Sequence, residues 1–165
     1  MRHALWIIIV LASLPLLPRA AERDLHDYWD TRCKDCHGDA GDFARRTLRV
    51  EQGRLAGRHH AAADLDRFMR NHYLADELVA PVTAMLLAQV GTAPLFKERC
   101  GGCHGVASAF ARKSLAMQGG QLIGKASQRP VQEYLRSHGG LAPAEIAPMV
   151  ETLTRVLGEV GGEKK

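Results

Sequence analysis

Two thiols separated by two residues and followed at once by an imidazole occur twice in this chain, as Cys33-Lys34-Asp35-Cys36-His37 and as Cys100-Gly101-Gly102-Cys103-His104. The spacing sets the thiols about one helical turn apart. Both can then add to the vinyl groups of one macrocycle as thioethers, while the imidazole binds its iron from the proximal face; this is the C-x-x-C-H chemistry of c-type haem attachment. These are the only four cysteines, so none remains for a structural disulfide. Two covalently bound haem c groups are expected, held by Cys33, Cys36, Cys100 and Cys103, with His37 and His104 as proximal iron ligands. The rival chemistries are a thioredoxin-like dithiol, which calls for a βαβ context, and one zinc ion shared by all four thiols, which would not require an adjacent histidine twice.

The elements that must position these clusters are bounded by composition. A chain of 165 residues and 18.1 kDa has room for one ordinary domain or two very small ones, which excludes large α/β enzymes. Aromatic residues make up only 5% and there are 16 glycines, so something besides Phe, Trp and Tyr must fill the interior. A formal charge of +4 from 22 Lys and Arg against 18 Asp and Glu is too mild and too mixed to indicate nucleic acid, and no nucleic-acid partner is expected. At the N-terminus Arg2 and His3 precede an apolar run from Ala4 to Leu17, then Pro18-Arg19-Ala20-Ala21. This reads as a secretory signal peptide over residues 1–20, and the expected location is the periplasm. An uncleaved membrane anchor is the alternative, although the run is shorter than the roughly 20 residues that span a bilayer.

An internal repeat organises the rest. The offset of 67 that carries Cys33 onto Cys100 also carries Trp29 onto Phe96, Arg32 onto Arg99, Phe43-Ala44-Arg45 onto Phe110-Ala111-Arg112, Leu48 onto Leu115, and Gly53, Leu55 and Gly57 onto Gly120, Leu122 and Gly124. After a slip of one residue, Phe68-Met69-Arg70-Asn71-His72 aligns with Tyr134-Leu135-Arg136-Ser137-His138. The chain is a tandem duplication joined at Gly91-Thr92-Ala93-Pro94, with units over 22–91 and 92–158 and a flexible tail over 159–165. Each unit predicts a helix leading into the cysteines (Leu25 to Arg32; Leu95 to Arg99). A middle helix follows (Ala62 to Asn71; Pro130 to Ser137), then a last helix (Asp76 to Val90; Ala144 to Leu157). No alternating apolar pattern argues for a sheet, so the expected class is all-α: two tandem small helical domains. Units this small are marginal without a staple, and a covalently held macrocycle in each would supply one.

Each unit resembles a small class I cytochrome c domain. The resemblance rests on Tyr28-Trp29-x-x-Arg32-Cys33-x-x-Cys36-His37-Gly38 and Leu95-Phe96-x-x-Arg99-Cys100-x-x-Cys103-His104-Gly105, and on Leu55-Ala56-Gly57-Arg58 and Leu122-Ile123-Gly124-Lys125, which are similar to that family's loop along the haem edge. It covers nearly all of residues 24–158, and in tandem the units resemble a dihaem cytochrome of the cytochrome c4-like arrangement. The family usually places a methionine ligand before the last helix. Here that place is held by His72 and by His138, the only non-proximal histidines that correspond between the units. The resemblance together with the repeat implies His72 and His138 as distal ligands and two bis-histidine haems; the alternative is that both merely cap the middle helices.

Other candidates are weaker. Met85 and Met149 fall inside the last helices at non-corresponding positions and read as core, Met69 as packing, and Met117 as a poor ligand. His59 and His60 remain the alternative distal pair for the first haem. Arg45, Arg46, Arg49, Arg54, Arg58, Arg112, Lys113 and Lys125 have two readings: all are solvated surface, or Arg58 and Lys125 meet haem propionates while the others present a positive face to an acidic redox partner. The expectation is a soluble periplasmic carrier of single electrons between redox proteins, and not an enzyme. The alternative is a haem enzyme or gas-binding protein with one five-coordinate iron open to peroxide, oxygen or nitric oxide.

Overall fold

The computed structural model describes residues 23–161; the expected export signal lies outside the described residues. The first half runs α1 (Leu25–Arg32), α2 (Lys34–His37), α3 (Ala40–Thr47), β1 (Leu48–Glu51), β2 (Arg54–Gly57), α4 (Ala62–Arg70) and α5 (Asp76–Gly91). The second runs through the same elements in the same order: α6 (Leu95–Arg99), α7 (Gly101–His104), α8 (Ala107–Ser114), β3 (Leu115–Gln118), β4 (Gln121–Gly124), α9 (Val131–Leu135) and α10 (Pro143–Glu159). Among the described residues no helix is long and apolar enough to cross a membrane.

The all-α expectation is overturned by the two hairpins. In each half a two-stranded antiparallel sheet follows the third helix, with Leu48 opposite Gly57 and Leu115 opposite Gly124, registers that differ by the repeat offset. Strands of four residues are too short to print a legible alternation. The turns carry the signal instead. Gln52 and Gly53 have φ of 50° and 76°, and Gly119 and Gly120 have φ of 56° and 77°, the double left-handed pair that a two-residue hairpin turn demands. Glycine supplies three of those four positions without steric cost.

Helix ends follow local chemistry. The Asp24 and Asp39 carboxylates accept from the Asp27 and Asp42 amides at 2.8 and 3.0 Å, capping α1 and α3. Pro143 occupies the first turn of α10, where the Glu145 side chain accepts the Ala142 amide at 2.8 Å. Pro81 and Pro148 sit within α5 and α10, past the first turn of each helix. The second middle helix ends at Leu135, earlier than expected, as Arg136 and Ser137 turn back on Glu133 and Tyr134 through i→i+3 bonds. At the other end α10 reaches Glu159, so this residue belongs to the helix and not to a tail.

Each half has its own apolar core. One gathers Leu25, Trp29, Leu55, Leu65, Leu78, Val82, Met85 and Leu86; the other gathers Phe96, Leu115, Leu122, Val131, Leu135, Met149, Leu153 and Val156. Met149 and Leu153, four residues apart on α10, face one side of the helix, as do Val82 and Leu86 on α5.

Polar side chains tie the halves together. Asp24 receives Arg112 at 2.9 Å, Asp42 receives Lys97 at 2.8 Å, and Glu159 meets both His26 at 2.8 Å and Arg155. Several of the basic residues expected to form an open positive face are thus in pairs: Arg45 with Asp42, Arg49 with Glu51, Arg54 with Asp66 and Arg112 with Asp24. Burial favours the protonated Asp24 carboxyl, but the hydrogen bonds from Arg112 and from the Asp27 amide, with the Arg112 charge, outweigh it and hold its pKa below the ordinary value. A carboxylate depressed in the folded state contributes stability above its unfolded pKa and loses it as pH falls through the folded one. Arg112→Ala is expected to cost about 1 kcal/mol or less at neutral pH and to flatten the loss of stability below about pH 4. Urea unfolding across pH 2.5–7 checks this, and an acid limb as steep as that of the unaltered protein would count against the pair.

Candidate functional site

Cys33 closes α1 and opens α2, and Cys100 does the same for α6 and α7, with matching φ of −118° and −120°. The His37 and His104 amides both bond the carbonyl of the first cysteine at 2.9 Å, so thiol, thiol and imidazole ride on a single turn. That turn ends on Gly38 and Gly105, with φ of 73° and 71° and ψ of −156° and −137°, a region open only to glycine. Neither glycine has a neighbour that a Cβ would touch, so the requirement is conformational and not steric. The Trp29 indole donates to the Gly38 carbonyl at 2.9 Å and pins this turn in the first half. All four cysteines are free thiols; Cys36 and Cys103 are exposed, and burial raises the pKa of Cys33 and of Cys100, the latter also through Cys103.

Opposite each turn stands a second imidazole. The rings of His37 and His72 have centroids 5.8 Å apart, and those of His104 and His138 are 6.0 Å apart. His72 and His138 enter from the chain just past α4 and α9. The next residue is left-handed in both cases, Tyr73 at φ 61° and Gly139 at φ 82°. Tyr73 carries the backbone strain of a bulky residue in that region, and the Tyr28 hydroxyl donates to its carbonyl at 3.2 Å. At the end of α4 it is the Asn71 side chain that donates to the Arg67 carbonyl, at 3.1 Å.

Between His37 and His72 lies a cavity of about 370 Å³, walled by apolar side chains of α1, α3, β2, α4 and α5, including Leu55, Leu65, Val82 and Leu86. Cys33 also lines it. Its volume falls within the range of sites that bury a small organic group. The donor set fits one planar iron macrocycle per half. Two metal–imidazole bonds of about 2 Å each, plus two ring radii, place coordinated ring centroids roughly 6 Å apart. Burial, and then the facing His72, lower the pKa of His37, favouring the neutral form that can offer a lone pair.

The alternatives can be located in the same frame. His59 and His60 line the first cavity, but His60 stacks on Phe68 at 4.1 Å, and it is His72 that comes within ring contact of His37. Met85 and Met149 are fully buried in the two cores, Met69 lines the first cavity, and Met117 packs against the second core from β3. Arg58 stands at the wall of the first cavity. Lys125 instead directs its ammonium to the Arg112 carbonyl at 2.6 Å. Among the described residues no three His, Cys, Asp or Glu side chains converge as a metal cluster. Among the described residues the strands pair as two antiparallel hairpins, and no βαβ setting surrounds either thiol pair.

The site also contains residues to which sequence reasoning gave no role: Phe43 and Phe110 against the His37 and His104 rings, and Phe68 and Tyr134 against those of His72 and His138. Their signal was present in the repeat, which keeps an aromatic at both positions of a chain poor in aromatics. Comparison with protein-family models, with curated proteins and with solved structures finds no match to this chain.

Proposed function

We propose that this chain is a carrier of single electrons that holds two haem c groups covalently and has no substrate of its own. The observation that supports the reading is the same in both halves: a second imidazole stands about 6 Å from the one that follows the thiol pair. When bound, each haem supplies a one-electron ferric/ferrous couple. Cys33 and Cys36, and Cys100 and Cys103, would anchor the vinyl edge, while His37 with His72 and His104 with His138 would each offer the iron two imidazole lone pairs. Two imidazoles per iron would leave no position open to peroxide, oxygen or nitric oxide, so the donor set favours a carrier over a catalyst. Arg58, at the wall of the first cavity, would meet a propionate of the first haem. The apolar wall of the first cavity would keep water from the iron and limit solvent reorganisation when its charge changes.

The partners in this reading are redox proteins of a periplasmic electron-transfer chain, and histidine in place of methionine sets the carrier to low potential, because the Met/His pair is what raises it. Carbon monoxide added to the dithionite-reduced protein tests the proposal. Unchanged visible spectra over minutes are expected; rapid, stoichiometric binding at one haem would favour the gas-binding or peroxide-handling alternative.

A further inference from the structure

The ring planes of the facing imidazoles are crossed, by 66° for His37 with His72 and by 61° for His104 with His138. Two independent halves thus reach nearly the same angle, and the packing explains it. Phe43 meets His37 edge-on at 4.6 Å and 63°, and Phe110 meets His104 at 4.7 Å and 59°. On the distal side Phe68 stacks on His72 at 4.9 Å and 19°, and Tyr134 lies against His138 at 4.6 Å and 32°. The proximal partners are themselves held: Phe43 by Trp29 and Phe110 by Phe96, both at 5.5 Å and both against buried rings. Phe68 is sandwiched, with His60 on its other face at 4.1 Å. His37, His72 and His104 therefore rest on rings whose own neighbours limit their rotation, and His138 rests on Tyr134; a coordinated imidazole otherwise turns easily about its metal–nitrogen bond.

Resting on the reading of these histidines as axial ligands, we propose that Phe43, Phe68, Phe110 and Tyr134 are positioning residues that keep the two imidazole planes at each haem crossed. The electronic consequence follows from orbital symmetry. An imidazole interacts by its π system with the iron d orbital perpendicular to its own plane. Parallel rings act on one such orbital and split it from its partner; crossed rings act on both and leave the pair nearly degenerate. Ferric iron then has a strongly anisotropic low-spin ground state, a consequence of ligand orientation at fixed ligand identity.

Electron paramagnetic resonance of the fully oxidised dihaem protein near liquid-helium temperature reads this directly. The expected result is a broad signal with one very large g value, integrating to two low-spin haems per chain. A resolved three-line rhombic low-spin signal would overturn the crossed arrangement while leaving bis-histidine ligation intact. A high-spin signal, or the far-red absorption of Met-ligated ferric haem, would overturn the ligation on which the proposal rests. Tyr134 is 43% exposed, so replacing it leaves the buried core in place. In Tyr134→Leu one of the two haems is expected to move to the rhombic signal and the other to stay, and Tyr134→Phe is expected to keep the original spectrum. A Tyr134→Leu spectrum identical to that of the unaltered protein would remove Tyr134 from the positioning role.

Discussion

Protein recovered from the periplasm of a host that ligates haem c is expected to exceed the mass of its processed chain by two haem groups, with no thiol left to titrate. Each C-x-x-C turn presents two free thiols on one face, one of them exposed and one half-buried at the edge of the core. A disulfide would consume both, and a thioether pair consumes both with the macrocycle attached, so mass and thiol count together separate these outcomes. Converting Cys100 and Cys103 to alanine is expected to remove one haem. The effect on stability should be large and local to the second half, whose core is built from few large side chains: Phe96, Met149 and a set of Leu and Val. Units of this size draw only about 3–5 kcal/mol from a single core, so loss of a buried group touching several elements should melt the second half well before the first. Circular dichroism followed by the absorbance of the remaining haem would show two transitions where the unaltered protein shows one. One haem, or a bound zinc, in the unaltered chain would end this reading.

How far the sequence alone reaches is visible in particular elements. The first and last helices of each half carry caps, proline starts or apolar periodicity, and α1 and α6 were read with the boundaries they have. The turn from Cys33 to His37 was legible because its chemistry fixes residue types at fixed spacing. The hairpins were not, since the residues that define them, Gln52-Gly53 and Gly119-Gly120, read equally as loop; what they encode is a pair of positive φ angles. The fates of the basic residues were also hidden. That Arg112 would be drawn to Asp24 depends on how the halves pack, a contact across 88 residues that no local pattern records. His72 and His138 could be singled out because a duplicated chain contains its own comparison: a histidine retained at the same place in both copies is distinguished from His26, His59 and His60, which are not. The same logic, applied to Phe43 with Phe110 and Phe68 with Tyr134, would have placed the aromatic supports.

Replacing one distal histidine with methionine should change one potential and spare the other. In His138→Met the thioether is a weaker donor to ferric iron than imidazole, so the reduced state gains relative to the oxidised one and the second haem's potential rises. Axial ligands span about 0.8 V among haem proteins, and exchange at one position is expected to move the couple by on the order of 0.1 V. His72→Met should do the same at the first haem. The two sites differ in how well they can accept the change. Gly139 and Gly140, at φ of 82° and 61°, let the chain after His138 readjust without side-chain strain, whereas Tyr73 holds the equivalent left-handed position after His72 with a bulky residue. The second site should therefore accept methionine with full low-spin coordination. The first should show a fraction of five-coordinate iron, detectable as a high-spin band and as carbon monoxide binding absent from the unaltered protein. Spectroelectrochemical titration of both variants checks each part. A shift of the first couple in His138→Met and of the second in His72→Met would mean that the wrong histidine had been paired with each haem. An unmoved couple in His138→Ala would mean that His138 does not touch the iron, and the distal ligand of the second half would have to be sought at Met117.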